Sequence, residues 1–264
     1  MSNFIIADRK TNYLLPPSVD DWLNEDHLAR FVVEVVDQLD ISNLTRQYAG
    51  RGSRAYHPVA LLAMLVYGYA TGVFSSRKLE RATYDSVAFR YLAAGSHSDH
   101  DTLATFRRRF LGELEELFVQ VLELAREMKL LKLGTVCLDG TKLHANASRH
   151  SALSHGHIEQ LEGQLKGARD EHHPGWRERH SEPPPLADDA TPMQTMAHRL
   201  KTKAGRALYA LRKQTVEPVF GIIKSVLGFR QFSLRGLHKV SGEWSLVCLA
   251  WNVKRMAVLR PKFE

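Results

Sequence analysis

Cysteine is nearly absent: Cys137 and Cys248 are the only two in 264 residues. Both stand among apolar neighbours, which excludes a disulfide scaffold and predicts small core residues in a reducing, cytoplasmic setting. Long apolar runs are also scarce. The longest uncharged one, Val59 to Phe74, contains Gly68 and Gly72 and falls short of the ~18–20 residues that span a bilayer, so it reads as a buried helix and no membrane partner is expected. The first residues, Met-Ser-Asn-Phe-Ile-Ile-Ala-Asp, lack the charged region and long apolar stretch of a signal peptide. There is no internal repeat. Gly134 and Gly140 carry no GxGxxG or Walker pattern, and His97/His100, His155/His157 and His172/His173 lack cysteine or carboxylate partners at zinc-site spacing. Serine stands near histidine at Ser148/His150 and Ser154/His155 only in sequence, which gives nucleophilic catalysis little weight.

Acidic residues are what the C-terminal part lacks. From Gln194 to Glu264 there are 14 Lys and Arg but 3 Asp and Glu, a local charge of +11, while the remainder holds 22 against 26 within a total of +7. That asymmetry points to a polyanion, most often nucleic acid, with a solvated basic surface as the alternative.

At 264 residues, one large or two modest domains are expected. Periodicity predicts a mostly α chain. Leu28, Phe31, Val32, Val35, Val36 and Leu39 recur at steps of three and four. Pro58 fits the first turn of a helix to about Thr71, Ser75-Ser76 caps a short basic helix Arg77-Lys-Leu-Glu-Arg81, and Asp85 starts another that ends before Gly95. The polar turn Ser96 to Asp101 leads into a long helix, Thr102 to about Leu131. Its Arg107-Arg108-Arg109 is compatible with a helix-turn-helix in which Arg107 and Arg108 reach DNA; an ordinary helix pair with solvent-facing arginines is the alternative.

Farther on, Gly134-Thr-Val-Cys-Leu-Asp139-Gly140 reads as a buried strand with Asp139 at its tip, and 151–170 as helical. Residues 171–190 are polar and proline-rich, an exposed linker. Thr191-Pro192-Met193-Gln194 carries a capping-box pattern, followed by an apolar stripe of Met193, Met196, Leu200, Ala207 and Leu211. A last helix, Gly242 to about Leu259, is expected to bury Trp244, Leu246, Val247, Leu249 and Trp251.

Within the basic segment stands Tyr209-x3-Lys213-x3-Glu217-x6-Lys224. These spacings bring an acid, two lysines and a tyrosine to one side of a helix, provided the backbone stays helical through them. Pro218 is expected to break the helix and restart it with Glu217 at its N-terminal end. A carboxylate among cations suits metal-assisted phosphodiester chemistry, the acid holding Mg²⁺ and the lysines the phosphate backbone. Lys201, Lys203, Arg206 and Arg212 either track DNA phosphates or form a solvated helix face. Phe229 and Phe232 either stack bases or pack in a core.

Tyr56-His-Pro58 through Glu80, Asp99 to Arg107, Leu138-Asp-Gly-Thr-Lys-Leu-His-Ala-Asn-Ala-Ser148, and Thr215-Val-Glu-Pro-Val-Phe-Gly-Ile-Ile-Lys224 into Gly228-Phe-Arg-Gln-Phe232 cover most of the chain outside the linker. Together they resemble bacterial insertion-sequence transposases of the Asp-Asp-Glu class. The resemblance implies a helical DNA-binding domain, 1–131, followed by a truncated RNase H-like α/β domain with few strands, 132–264. It implies DNA cleavage and strand transfer at the double-stranded ends of the element, with Asp139 and Glu217 as catalytic acids and metal ligands for two Mg²⁺ ions. Lys142, Lys201, Lys203, Tyr209, Arg212, Lys213 and Lys224 are the expected DNA contacts of that domain, and a homodimer or a mixed dimer with an intact transposase is the expected assembly. The chain departs from the family's pattern at the second aspartate, which has no recognisable counterpart after Asp139. Asp170, Asp188 and Asp189 are the nearest acids, in or beside the linker. An internal deletion near His172 to Trp176 accounts for this, and two functions follow as expectations: a transposase, or a catalytically dead DNA-binding remnant that inhibits an intact one.

Overall fold

The structure, a computed structural model, describes residues 18–48, 55–131, 141, 143–145, 183–185 and 190–261, with the backbone alone at 212–216. The expected strand with Cys137 and Asp139, Lys142, the helix 151–170 and most of the linker 171–190 lie outside the described residues. The described residues are mostly helical and contain no strand. In chain order the helices are α1 (Leu28–Gln38), α2 (Ser42–Thr45), α3 (Pro58–Thr71), α4 (Ser76–Asp85), α5 (Val87–Leu92), α6 (His100–Arg109) and α7 (Leu111–Glu127). They continue with α8 (Pro192–Lys201), α9 (Lys203–Ala210), α10 (Arg212–Gly221), a π-helical turn Ile222–Val226, and α11 (Leu237–Leu259).

The chain divides into two compact units, 1–132 with 237–264, and 133–236. The C-terminal helix therefore packs with the N-terminal helices, although the sequence pattern assigns it to the second half of the chain.

The first unit is built around α3. Eleven of its fourteen residues are buried, from Pro58 to Ala70, and a helix apolar on all sides needs neighbours on all sides. α1, α4, α5, α6 and α11 supply them, while α11 also covers α7. Pro58 opens α3 at its first turn, and Gly72 closes it at φ 85°, a left-handed conformation that glycine takes without a Cβ clash.

The single long helix expected from Thr102 is two helices in the structure. Asp99 caps α6 by accepting the Thr102 N–H at 2.7 Å, and the chain turns at Phe110 (φ −106°, ψ 30°) before α7. The turn has a packing cause. Phe110 is fully buried against Phe106, with ring centroids 4.9 Å apart, and the bend lets α6 pack on α3 while α7 packs on α11.

Arg107, expected among the DNA contacts, points inward and is 6 % exposed. Its Nη1 donates to the Tyr69 hydroxyl at 2.8 Å and to the Phe74 carbonyl at 3.0 Å, and the Tyr69 hydroxyl donates to Glu243 Oε1 at 3.3 Å. Burial pushes the Tyr69 phenol above its ordinary pKa, against the opposing Arg107 charge, so it remains a neutral donor. Three elements of the bundle, α3, α6 and α11, thus meet at one phenolic oxygen. A second tie joins Lys254 Nζ to the Ala70 carbonyl at 2.8 Å. The sequence signal for this network is a lone Glu in the apolar stretch of α11 and a Tyr in the apolar α3.

Two changes test the closure of the bundle. Tyr69→Phe removes the hydroxyl that Arg107 and Glu243 share and lowers stability by about 1–3 kcal/mol, read as a shift in the urea unfolding midpoint. Gly242→Ala places a Cβ 2.7 Å from Leu111 Cβ and 3.1 Å from its carbonyl oxygen. Overpacking of this kind costs about 1–3 kcal/mol, so the variant melts earlier than the parent in a thermal scan.

Candidate functional site

The second unit opens with the expected capping box. Gln194 N–H donates to Thr191 Oγ1 at 3.3 Å, Thr191 N–H donates back to Gln194 Oε1 at 2.9 Å, and Pro192 takes the first helical position. The helix does not run on to Leu211. Thr202 leaves it at φ −70°, ψ 154° and caps α9 instead, its Oγ1 accepting from the Gly205 N–H at 3.0 Å. Gly205 is required there, because a Cβ would lie 1.7 Å from the Arg199 carbonyl oxygen. The expected apolar stripe is exposed rather than buried: Met193 is 82 % exposed, and Met196, Leu200 and Leu211 are also open.

Glu217 lies inside α10 and is exposed. The break expected at Pro218 does not occur, since α10 continues through Pro218 to Gly221. A proline in a helix interior costs roughly 3 kcal/mol, and packing just downstream offsets it. The helix widens there into the π turn, where the Leu227 N–H reaches the Ile222 carbonyl at 2.9 Å, and Ile223, Leu227 and Phe229 are buried. Gly228, at φ 81°, ends the turn, with the Phe229 N–H on the Ile223 carbonyl at 3.0 Å. Phe229 is buried and meets the partly exposed Phe232 edge to face at 5.5 Å, so Phe229 packs in a core.

Lys224 is half-buried and its Nζ donates to Thr141 Oγ1 at 2.6 Å. Beside it, His144 N–H donates to the Arg230 carbonyl at 3.1 Å and Phe232 N–H to the His144 carbonyl at 3.0 Å, a parallel bridge between His144 and Gln231. The stretch after Asp139 is thereby fastened to the stretch that follows Glu217. Thr141 was not among the expected site residues, although it belongs to the quoted Asp139-Gly-Thr-Lys motif.

Lys201, Lys203 and Tyr209 are exposed on α8 and α9. Arg212 and Lys213 carry side chains that are not described, and Asp139 and Lys142 lie outside the described residues. In the first unit Arg108 is exposed, with its Nε on the Ala104 carbonyl at 3.2 Å. Among the described residues no group of three or more His, Cys, Asp or Glu gathers to hold a metal ion. The hard carboxylate oxygen of Glu217 suits a divalent cation such as Mg²⁺.

Comparison with family models gives two matches. Residues 17–109 match a Transposase domain (DUF772), and residues 187–257 match a Transposase DDE domain. Glu217 falls within the second match, whereas Asp139 falls in neither. No curated protein and no solved structure matches the chain. Two transposase matches in the expected order, one over the α3-centred helices and one over the segment of Glu217 and Lys224, assign the chain to the insertion-sequence transposases of the DDE class.

Proposed function

We propose that the chain binds the double-stranded ends of its element and cuts them in a reaction dependent on Mg²⁺, with Asp139 and Glu217 as the acids. The observation that carries this reading is the Lys224–Thr141 hydrogen bond of 2.6 Å with the adjoining His144–Gln231 bridge. Asp139 precedes Thr141 by two residues, a span of at most about 7 Å, and Glu217 precedes Lys224 by seven, which supports reading the two acids as one site. Mg²⁺, when bound, neutralises the charge that develops on the scissile phosphate. Glu217 supplies a solvent-facing oxygen ligand. Lys224, engaged by Thr141, acts as a positioning residue, and the exposed Lys201, Lys203 and Tyr209 meet the sugar-phosphate backbone.

The purified chain with an end-sequence duplex is the test. Asp139→Ala and Glu217→Gln each lower Mg²⁺-dependent nicking by at least about 100-fold, on the order of 3 kcal/mol, while affinity for the duplex stays within about twofold. Nicking by Asp139→Ala at the parent's rate refutes the assignment. Lys224→Ala releases Thr141, and the His144 and Phe232 amide protons then exchange roughly fivefold faster, as loss of about 1 kcal/mol of local stability requires.

A further inference from the structure

The axes of α3 and α4 meet at 97° across a break of four residues, Gly72 to Ser75. A pair of helices at roughly 90–120° joined by a short glycine-containing turn is the geometry of a helix-turn-helix, in which the second helix enters the major groove. The turn is held from several sides. Gly72 takes φ 85°, the Val73 N–H bonds to the Gly68 carbonyl at 2.7 Å, and buried Arg107 donates to the Phe74 carbonyl at 3.0 Å. The two helices also approach closely because Gly68 has no side chain: a Cβ there would lie 2.5 Å from Leu79 Cδ2.

α4 has one inward face, carrying buried Leu79 and Thr83, and one outward face carrying Arg77, Lys78, Arg81, Tyr84 and Asp85. The remaining acid, Glu80, is withdrawn from that face. Its Oε2 accepts from the His100 N–H at 3.2 Å and stands 2.8 Å from His100 Nδ1. Asp85 pairs with Arg81 at 3.1 Å, but both side chains are largely exposed, so the pair is weak and yields to a stronger partner. Arg77 and Lys78 stand in the first turn of α4 and Arg81 one turn on along the same exposed side, where a helix set in a groove meets phosphates and base edges. Tyr84 completes the face as a rigid aromatic. It is 56 % exposed, yet its ring lies flat on His97 at 3.9 Å and 9°, and His97 is in turn fixed by Thr83 Oγ1 at 2.9 Å.

We infer that α3 and α4 form a helix-turn-helix and that α4 is its recognition helix, set in the major groove of duplex DNA with Arg77 and Lys78 on phosphates and Arg81 on a base edge. The site expected from the sequence, at Arg107 and Arg108 after the turn 96–101, gives way to one helix earlier, because Arg107 is the buried brace of the α3–α4 turn. This inference rests on the proposed action on DNA but concerns the first unit alone, so the two fail separately.

The experiment uses the full chain and a duplex selected by it from a random-sequence pool, with fluorescence anisotropy as the readout. Arg81→Ala reduces the preference for the selected duplex over a scrambled one by roughly 5- to 150-fold. Arg77→Gln with Lys78→Gln weakens binding to both duplexes and lowers the slope of log affinity against log salt by about 2. Arg126→Gln, an exposed change on α7, alters neither quantity, and unchanged melting temperatures verify that the variants are folded. If the parent binds the selected duplex and the α4 variants match it in preference and salt slope, the recognition helix is elsewhere and the inference is overturned. A parent with no affinity for any duplex overturns both this inference and the proposed function.

Discussion

The Tyr69 hydroxyl, between Arg107 and Glu243, is the contact on which the first unit depends. It ties residues 38 and 174 positions away from Tyr69 to the most buried helix of the bundle, and it does so with opposite charges that would each be costly to bury alone. Glu243 is fully buried and Arg107 nearly so. Their arrangement therefore specifies which helices meet, where apolar packing alone would allow α11 to slide along α3 and α7. Gly242 reinforces that register from the neighbouring position, where Leu111 leaves no room for a Cβ.

The same guanidinium that anchors the core also braces the turn after α3 through the Phe74 carbonyl. Packing and function are linked at this point. A recognition helix is useful only if its angle is constant, and here the angle follows from Gly68, Gly72 and Arg107 rather than from residues on the exposed face. The outward cations Arg77, Lys78 and Arg81 take no part in these three contacts.

In the second unit the ordering principle is different. Threonine caps, glycine at close approaches and a π turn set the backbone, while α8 and α9 contain no buried residue. Local hydrogen-bond satisfaction, more than apolar burial, defines these helices, and among the described residues of this unit the buried apolar side chains are Ile223, Leu227, Phe229 and Leu234. The Lys224 contact to Thr141 brings together positions 83 residues apart beside that small core.

Helix starts and stops were legible in the residues because they obey local rules: proline at the first turn of α3, glycine after it, and the box at Thr191 are decided within one turn of chain. The transposase family was equally legible in the motifs, of which Tyr56 to Glu80, Asp99 to Arg107 and the stretch around Glu217 fall within the family matches. Three features were not, since each depends on atoms distant in sequence. The direction of Arg107 was set by Tyr69 and Phe74, the passage of α10 through Pro218 by burial downstream, and the bend at Phe110 by two different neighbours for α6 and α7. Sequence by itself thus determined the family and those helix ends that a proline, a glycine or a capping box encodes locally. Only the tertiary structure decided which arginines face inward and which helix presents its cations outward, because side-chain direction is fixed by the partners that a folded chain brings within hydrogen-bonding distance.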